Sequence, residues 1–244
     1  MLVESMTYEE KLRYLYKIED KLYDVVNRVV HRTCKNKKKG LWINLGTRSI
    51  VIDGDRYYYS IVTQRIKGDN FNTGGSSYTI RTRDNGQRYV LSFHTRESTK
   101  FEIYELHVFE RYRERYLRDP NLSLEDCIRL FFENTNADMV SRIVIHKDDS
   151  GYARMREDGI LLCDEGITTT IDTNIRHWKT FITEDMLFSD QSYLSKYGDE
   201  WNRMKEFWEE CKKDKINGVR KMDRAIMYSN IHIRTEVDKI KRGK

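Results

Sequence analysis

Proline is nearly absent from this chain, since Pro120 is the only one in 244 residues. A flexible proline-rich linker between independent domains is therefore excluded. Long apolar runs are also missing, and none approaches the ~20 residues that a membrane-spanning helix needs. Residues 1–10 are polar and acidic and do not match a signal peptide. We therefore expect a cytoplasmic protein that has no membrane partner.

Closely spaced cysteines are missing as well. The chain has four cysteines, at Cys34, Cys127, Cys163 and Cys211, and no two of them form a C-x-x-C pair. This spacing argues against a structural zinc site and favours reduced thiols that pack as small apolar side chains. Gly74-Gly75 is not followed by a lysine that could hold a nucleotide phosphate. We expect neither a metal nor a cofactor.

Charge is the most abundant feature of the composition. Charged residues make up 34% of the chain, and the formal net charge is +5. This bias permits binding to a polyanion but does not demand it. Basic side chains cluster at Lys37, Lys38 and Lys39 and again in residues 239–244. Such runs are either solvated loops and tails or contacts to nucleic acid, and the sequence leaves both alternatives open.

A long amphipathic helix is expected after residue 7. Thr7 and Glu10 have the spacing of a capping box, in which each side chain bonds the backbone N–H of the other residue. Apolar residues then recur every three or four positions, at Leu15, Ile18, Leu22, Val25 and Val29. This stripe can pack on the sheet of the same chain or pair with a second copy in a homodimer. Packing on the same chain is favoured, because the stripe spans only about three heptads.

Strand periodicity and turn residues predict an antiparallel sheet on either side of a helical segment. Asp53-Gly54 and Asn85-Gly86 have the composition of hairpin turns, and residues 100–105 form a strand that leads directly into a helix. Ser123 begins a second helix, and five short strands follow it before helical periodicity returns. The expected fold is α+β: an antiparallel sheet with a central two-helix unit, a long N-terminal helix and a C-terminal helical pair. The expected units are residues 1–99, 100–188 and 189–244, the last with a basic tail.

The first helix of the central unit, residues 106–117, carries the residue types that phosphodiester chemistry uses. At helical spacing His107, Arg111 and Arg115 share one narrow strip. The next arc is apolar and consists of Val108, Phe109, Tyr112 and Tyr116. An imidazole transfers protons near neutral pH, and a guanidinium binds phosphate oxygens in a fork. The strip therefore predicts a proton carrier beside two cations on the wall of a cleft.

Ordinary ion pairing along the helix surface explains the same residues. Arg111 with Glu114, and Glu110 with Arg113, have the spacing of ion pairs that stabilise a helix by only ~0.2–0.5 kcal/mol each. On residue pattern alone this structural interpretation remains open beside the catalytic one.

The run His107-x-x-x-Arg111 with Arg115, followed by Leu122-Ser123-x-Glu125-Asp126, resembles small ribonuclease families of the barnase–EndoU–colicin–RelE-like superfamily. In those families a His-Ala-x-x-Arg-x-x-x-Arg helix precedes a second helix that begins Ile-Ser-x-Glu-Asp. An antiparallel sheet follows and ends in a strand with a threonine-containing motif, which residues 179–183 match here. The resemblance covers about residues 100–185, and Val108 stands where those families have a small residue.

The resemblance implies a metal-independent endoribonuclease of toxin or effector type that acts on RNA. His107 and Arg111 would lie at its site, faced across the sheet by Lys179 or Thr180. Arg115 belongs to the same predicted catalytic set, and Arg176 and His177 are placed nearby on the strand pattern. The runs 110–115 and 180–187 are also similar to uncharacterised proteins of gut Bacteroidota and their phages, which implies location in a host cytoplasm or a virion.

A second function fits the same sequence. The long N-terminal helix, the basic tail and the dense surface charge suit a non-enzymatic interaction protein, either a nucleic-acid binder or a phage assembly component. Fold alone does not choose between the two functions. The His107 side chain distinguishes the two functions, because catalysis requires its imidazole, whereas phosphate binding by cations does not.

Overall fold

The computed structural model describes residues 2–3, 5–37, 42–66, 70–94, 100–134, 139–146, 149–156, 158–164, 167–168, 174–183, 186, 202 and 205–206. Within these residues the fold is α+β, as the periodicity predicts. The predicted C-terminal helical pair, together with Cys211, lies outside the described residues except for Asn202, Lys205 and Glu206.

The helices are α1 (Tyr8–Cys34), α2 (Leu106–Tyr112), which a π-helical turn at Arg113–Leu117 extends, and α3 (Leu124–Glu133). The strands are β1 (Trp42–Ile52), β2 (Asp55–Arg65), β3 (Phe71–Gly74), β4 (Ser77–Thr82), β5 (Arg88–His94), β6 (Lys100–Glu105), β7 (Met139–His146), β8 (Asp149–Arg156), β9 (Gly159–Asp164), β10 (Ile167–Thr168) and β11 (Asn174–Ile182). In the described part of the chain, no helix combines the length and the apolar character that crossing a bilayer requires.

Helix α1 packs on its own sheet, as predicted. The Thr7 side chain accepts from the Glu10 backbone, and the Glu10 carboxylate accepts from the Thr7 N–H at 2.7 Å, so the capping box is present. Leu15, Ile18 and Leu22 are buried against strands β1, β2, β5 and β6 in one core cluster. Because the apolar stripe is used inside the molecule, it does not offer a dimer surface.

The described strands join into one sheet with the order β1-β2-β4-β5-β6-β11-β9-β8-β7, with β3 beside β2 and β10 beside β11. Neighbouring strands are antiparallel except for β6 and β11, which are the one parallel pair in the described part of the chain. Between β6 and β11 the chain forms α2, α3 and strands β7 to β10. β11 then lies beside β6 in the sheet. The predicted boundary at residue 99 falls between β5 and β6, which are paired in this sheet.

The sheet curls around the C-terminal end of α3. The Thr47 N–H of β1 donates to the Glu133 carboxylate at 3.0 Å, and Arg156 of β8 donates to the Phe131 carbonyl at 3.2 Å. These two strands stand near opposite ends of the sheet order. Both can reach α3 only if the sheet is strongly twisted and coiled. The pair α2–α3 therefore fills the concave side, and α1 covers part of the convex side.

Alternation along the strands assigns each side chain to one of these two sides. On β5, Leu91 and Phe93 pack with α1, whereas Val90 packs with α2 and α3. On β11 the pairing with β9 shifts between Trp178 and Thr180, which marks a bulge. Because of that bulge, both Trp178 and Phe181 face α2 and are fully buried.

Both predicted hairpins are present, but only the first turn has the predicted geometry. Asp53 and Gly54 have φ of 52° and 86° and join β1 to β2 directly, as a two-residue turn with positive φ at both positions requires. In the β4–β5 turn only Gly86 has positive φ, at 83°. The Arg83 N–H donates to the Gln87 carbonyl at 2.8 Å, so this loop has three residues rather than the expected two.

Candidate functional site

Helix α2 begins at the residue after β6, so the strand fixes the direction in which the helix starts. Val108, Phe109 and Tyr112 are fully buried against the sheet, which confirms most of the predicted apolar arc. The polar residues of α2 lie at the surface: the His107 side chain is 48% exposed and that of Arg111 is 35% exposed. Tyr116 was expected in the buried arc and is instead 44% exposed.

His107 and Arg111 are in direct contact. Arg111 Nε donates to His107 Nε2 at 3.2 Å. The neutral imidazole tautomer that this bond requires carries its proton on Nδ1, which lies 3.6 Å from the Glu110 carboxylate. Arg111 also donates to the Glu114 carboxylate at 2.5 Å, and this hydrogen bond lowers the pKa of Glu114. The four side chains form one connected polar group along the exposed side of α2.

This polar group forms one wall of an open groove of about 540 Å³. We call it the α2 groove, and its lining consists of His107, Glu110, Arg111, Arg113, Glu114, Arg118, Asp119 and Pro120. The lining contains three arginines and three carboxylates, so its formal charges balance. Arg113 donates to the Leu122 carbonyl at 3.0 Å instead of pairing with Glu110, and that predicted ion pair is wrong.

The π-helical turn separates Arg115 from the strip in which it was predicted. Its wider winding is closed by the bond from the Arg118 N–H to the Arg113 carbonyl at 2.8 Å, five residues apart. Arg115 donates to the Phe181 carbonyl of β11 at 2.5 Å and does not line the α2 groove. Desolvation, followed by the charge of Arg111, lowers the pKa of Arg115. The predicted strip is therefore correct for two of its three residues.

His177 and Lys179 lie on the other side of the sheet. They alternate with Trp178, whose ring is buried under α2, so their side chains project from the convex side. The sheet therefore separates Lys179 from His107, and the predicted approach of these two residues across a shared site is wrong. Thr180 is the second residue of the bulge and follows Lys179 on that side.

His177 is held by a carboxylate at the start of α2. Its Nε2 makes a short contact with Glu105, whose carboxylate also receives two hydrogen bonds from Arg83, at 3.1 and 2.7 Å. Burial and the nearby charge of Lys179 lower the pKa of His177. Burial alone would raise the pKa of Glu105, but the hydrogen bonds from Arg83 and His177 lower it. This chain of contacts ties β11 to the end of β6 that positions His107.

Arg176 points to the concave side, where it meets a buried carboxylate. It lies 3.4 Å from Glu102, which also forms a bidentate pair with Arg154 and accepts from the Tyr104 hydroxyl at 2.8 Å. Burial raises the pKa of Glu102, but Arg154, Tyr104 and Arg176 outweigh it and hold the pKa at about 2. This arrangement occupies Arg176 in the core, away from the α2 groove.

The predicted basic run is only partly described. Lys37 lies beyond the end of α1, where its carbonyl accepts from Arg65 at 3.3 Å. Lys38 and Lys39 lie outside the described residues. The segment 118–120 completes the α2 groove and was not predicted as part of a site. The one available signal was Pro120, the only proline, directly after the helix that carries His107.

Comparison with models of known protein families finds no match for this chain, and comparison with curated proteins of known function finds none either. In the described part of the chain, no three His, Cys, Asp or Glu side chains come together as a metal site.

Proposed function

We propose that this protein is an endoribonuclease that cleaves RNA in the α2 groove without a metal ion. The observation that carries the proposal is the contact between His107 Nε2 and Arg111 Nε on the wall of an open groove. It joins a group that can accept a proton to a cation that can bind the reacting phosphate. The resemblance of the His107-x-x-x-Arg111 run to ribonuclease families supports the same assignment.

The chemistry follows from the atoms that face the groove. Arg111 transfers its Nε hydrogen bond from His107 to a phosphate oxygen of the bound RNA, which frees the lone pair on His107 Nε2. His107 then removes the 2′-hydroxyl proton, and the 2′-oxygen forms a bond to phosphorus. The bond from phosphorus to the 5′-oxygen breaks, and a water in the open groove gives that oxygen a proton and takes one from the His107 imidazolium, which restores the neutral imidazole. The products are a 2′,3′-cyclic phosphate and a free 5′-hydroxyl.

Charges along the groove support each stage of this reaction. Arg111 and Arg118 line it and stabilise the additional negative charge on the phosphoryl oxygens. The imidazolium that forms on His107 is stabilised by the Glu110 carboxylate, which lies 3.6 Å from Nδ1. Arg115, whose guanidinium bonds the Phe181 carbonyl, supports the helix and is not assigned to the phosphate.

The balance of charge in the lining favours catalysis over simple binding. A surface that holds nucleic acid through its phosphates needs an excess of cations, because its affinity comes from neutralising many phosphates. The α2 groove has as many carboxylates as arginines. This composition suits the binding of one phosphodiester beside groups that exchange protons. The three described cysteines are free and buried, which fits action in the cytoplasm.

The test is cleavage of fluorescently labelled single-stranded RNAs of mixed sequence by the purified chain, in the presence of EDTA. His107→Gln keeps a polar side chain but cannot serve as the base, so we expect the rate to fall by about 10²- to 10⁴-fold. Arg111→Ala should also reduce it strongly. Arg88→Ala is the matched control, because Arg88 is a similarly exposed arginine that pairs with Glu125 and does not line the α2 groove.

Cleavage that persists in His107→Gln, or that requires a divalent metal, contradicts the mechanism. If no RNA is cut but salt-dependent binding is retained in His107→Gln, the protein is a nucleic-acid binder instead of an enzyme.

A further inference from the structure

The outer edge of β1 is blocked along only part of its length. At one end Gly46 has φ of 70°, the pairing with β2 shifts, and the Asn44 side chain accepts from the Gly46 N–H at 2.8 Å. The next outward N–H, that of Thr47, donates to Glu133 of α3. Such bulges and covering groups are the means by which proteins prevent edge strands from pairing with other chains. Residues 48–52 have none of this protection from the described residues.

The hydrogen-bonding groups that remain at this edge follow from the hairpin geometry. The two-residue turn closes on the pair Ile52–Asp55, whose backbone groups bond each other. Alternation then directs the N–H and C=O of Ile50 toward β2 and those of Ser49 and Val51 outward. The N–H of Thr47 points outward to Glu133, as the same alternation requires. Two N–H and two C=O groups therefore stand in a row beside an apolar side chain, since Val51 is 57% exposed.

Helix α1 does not cover this edge. It leaves a groove of about 410 Å³ along the end of β1, lined on the helix side by Lys21, Asp24, Val25 and Arg28. An added strand therefore finds room next to β1 on the convex side. Val25 and Ile50 both pack at the margin of the α1 core, so an apolar side chain placed there extends that core.

We propose that the open edge of β1 pairs antiparallel with the same edge of a second copy of this chain. Ser49 of each copy bonds Val51 of the other, which gives four backbone hydrogen bonds around a two-fold axis at Ile50. In this register Arg48 faces Ile52 of the second copy and lies one position along the strand from Asp53, whose carboxylate also pairs with Lys21 of its own helix at 3.1 Å. The contact thus places cationic and anionic side chains at both ends of an apolar centre, and the two sheets become continuous.

A second copy fits this edge better than an unrelated peptide does. The open segment is its own complement, because its centre is Ile50-Val51 and its ends carry Arg48 and Asp53, of opposite sign. The α1 stripe was the alternative dimer surface that the sequence left open, but that stripe is buried in its own core. The edge of β1 supplies a different surface for the same symmetry. This proposal does not depend on the proposed ribonuclease activity.

The test is the molar mass of the full chain in solution, measured by sedimentation equilibrium over roughly 5 to 500 µM, a range chosen for a short interface. We expect the mass to rise from 29.4 kDa toward twice that value with concentration. Val51→Lys should keep the protein monomeric over the whole range. Val51→Thr, which keeps a β-branched side chain at the same exposed position, should dimerise like the wild type.

Amide exchange locates the contact independently. Protection of the Ser49 and Val51 amides should increase with protein concentration, whereas that of the Ile50 amide, bonded to β2, should not change. The proposal is overturned if the wild type remains monomeric, if Val51→Lys dimerises as the wild type does, or if the two outward amides show no dependence on concentration.

Discussion

The buried carboxylate of Glu102 allows a quantitative test of the packing between the two halves of the sheet. Glu102 lies on β6, while Arg154 and Arg176 lie on β8 and β11, beyond the parallel contact. The substitution Glu102→Gln keeps the shape of the side chain but leaves two largely buried arginines, Arg154 and Arg176, without this counter-charge. Removing one partner of a buried ion pair costs about 3–5 kcal/mol. We expect the free energy of unfolding at pH 7 to fall by that amount.

The pH dependence of this loss is more specific than its size. The pKa of Glu102 is held at about 2 in the folded protein, against an ordinary value of 4.5. Because the folded pKa is the lower one, the stabilisation is fully present above pH 4.5 and is lost as the pH falls toward 2. A shift of one pKa unit corresponds to about 1.4 kcal/mol, so the lowered pKa of Glu102 contributes about 3 kcal/mol to the free energy of unfolding. The difference in stability between wild type and Glu102→Gln should therefore shrink as the pH falls through this range, by about 2 kcal/mol at pH 3.

Urea unfolding of both proteins, followed by tryptophan fluorescence from pH 7 down to pH 3, measures this difference. Glu125→Gln is the control, because Glu125 forms an exposed pair with Arg88 and should cost at most about 1 kcal/mol. A stability difference between wild type and Glu102→Gln that stays constant from pH 7 to pH 3 refutes the argument. So does a loss at pH 7 no larger than that of the control.

Three further substitutions test single features of the fold. Gly159→Ala would place a Cβ 2.3 Å from the Phe181 ring at a residue whose φ is 149°. Thermal unfolding should therefore show that the free energy of unfolding falls by about 1–3 kcal/mol. An unchanged Tm contradicts this close approach. Ser123→Ala removes the side chain that accepts from the Asp126 N–H at the start of α3, and urea unfolding should show a loss of about 1 kcal/mol. Arg115→Ala breaks the bond to the Phe181 carbonyl and should lower the free energy of unfolding by about 1 kcal/mol. It should reduce RNA cleavage less than Arg111→Ala does, and the opposite order of rates would place Arg115 at the phosphate.

The sequence predicted the candidate site only where its contacts join residues that are close together on one helix. His107 and Arg111 are one α-helical turn apart, so their contact follows from the spacing of the sequence alone. Arg115 is four residues further along, and the prediction that it shares the strip was wrong because the helix widens into a π turn there. The segment 118–120 reaches the groove through the loop that follows, whose path depends on where α3 packs. Spacing along the chain carries no information on that path.

Local rules also determined most of the secondary structure. The capping box at Thr7, the N-cap at Ser123 and the turn at Asp53-Gly54 involve residues within a few positions of each other. Their energies depend on short-range hydrogen bonds and on φ, both of which a sequence displays directly. The same holds for the apolar stripe of α1, because a helix with one apolar side must bury it.

The tertiary structure alone decided how these elements meet. It placed β11 parallel to β6 and curled the sheet around α3, and so put Lys179 and His107 on opposite sides of the sheet. Among the described residues it also left one segment of β1 uncovered, while Glu133 covered the residue before it. Strand order and curvature depend on contacts between residues far apart in the chain, whose closure entropy and packing are not encoded in any local pattern. The sequence by itself therefore determined the elements and their buried sides, and long-range pairing determined which polar side chains share a surface.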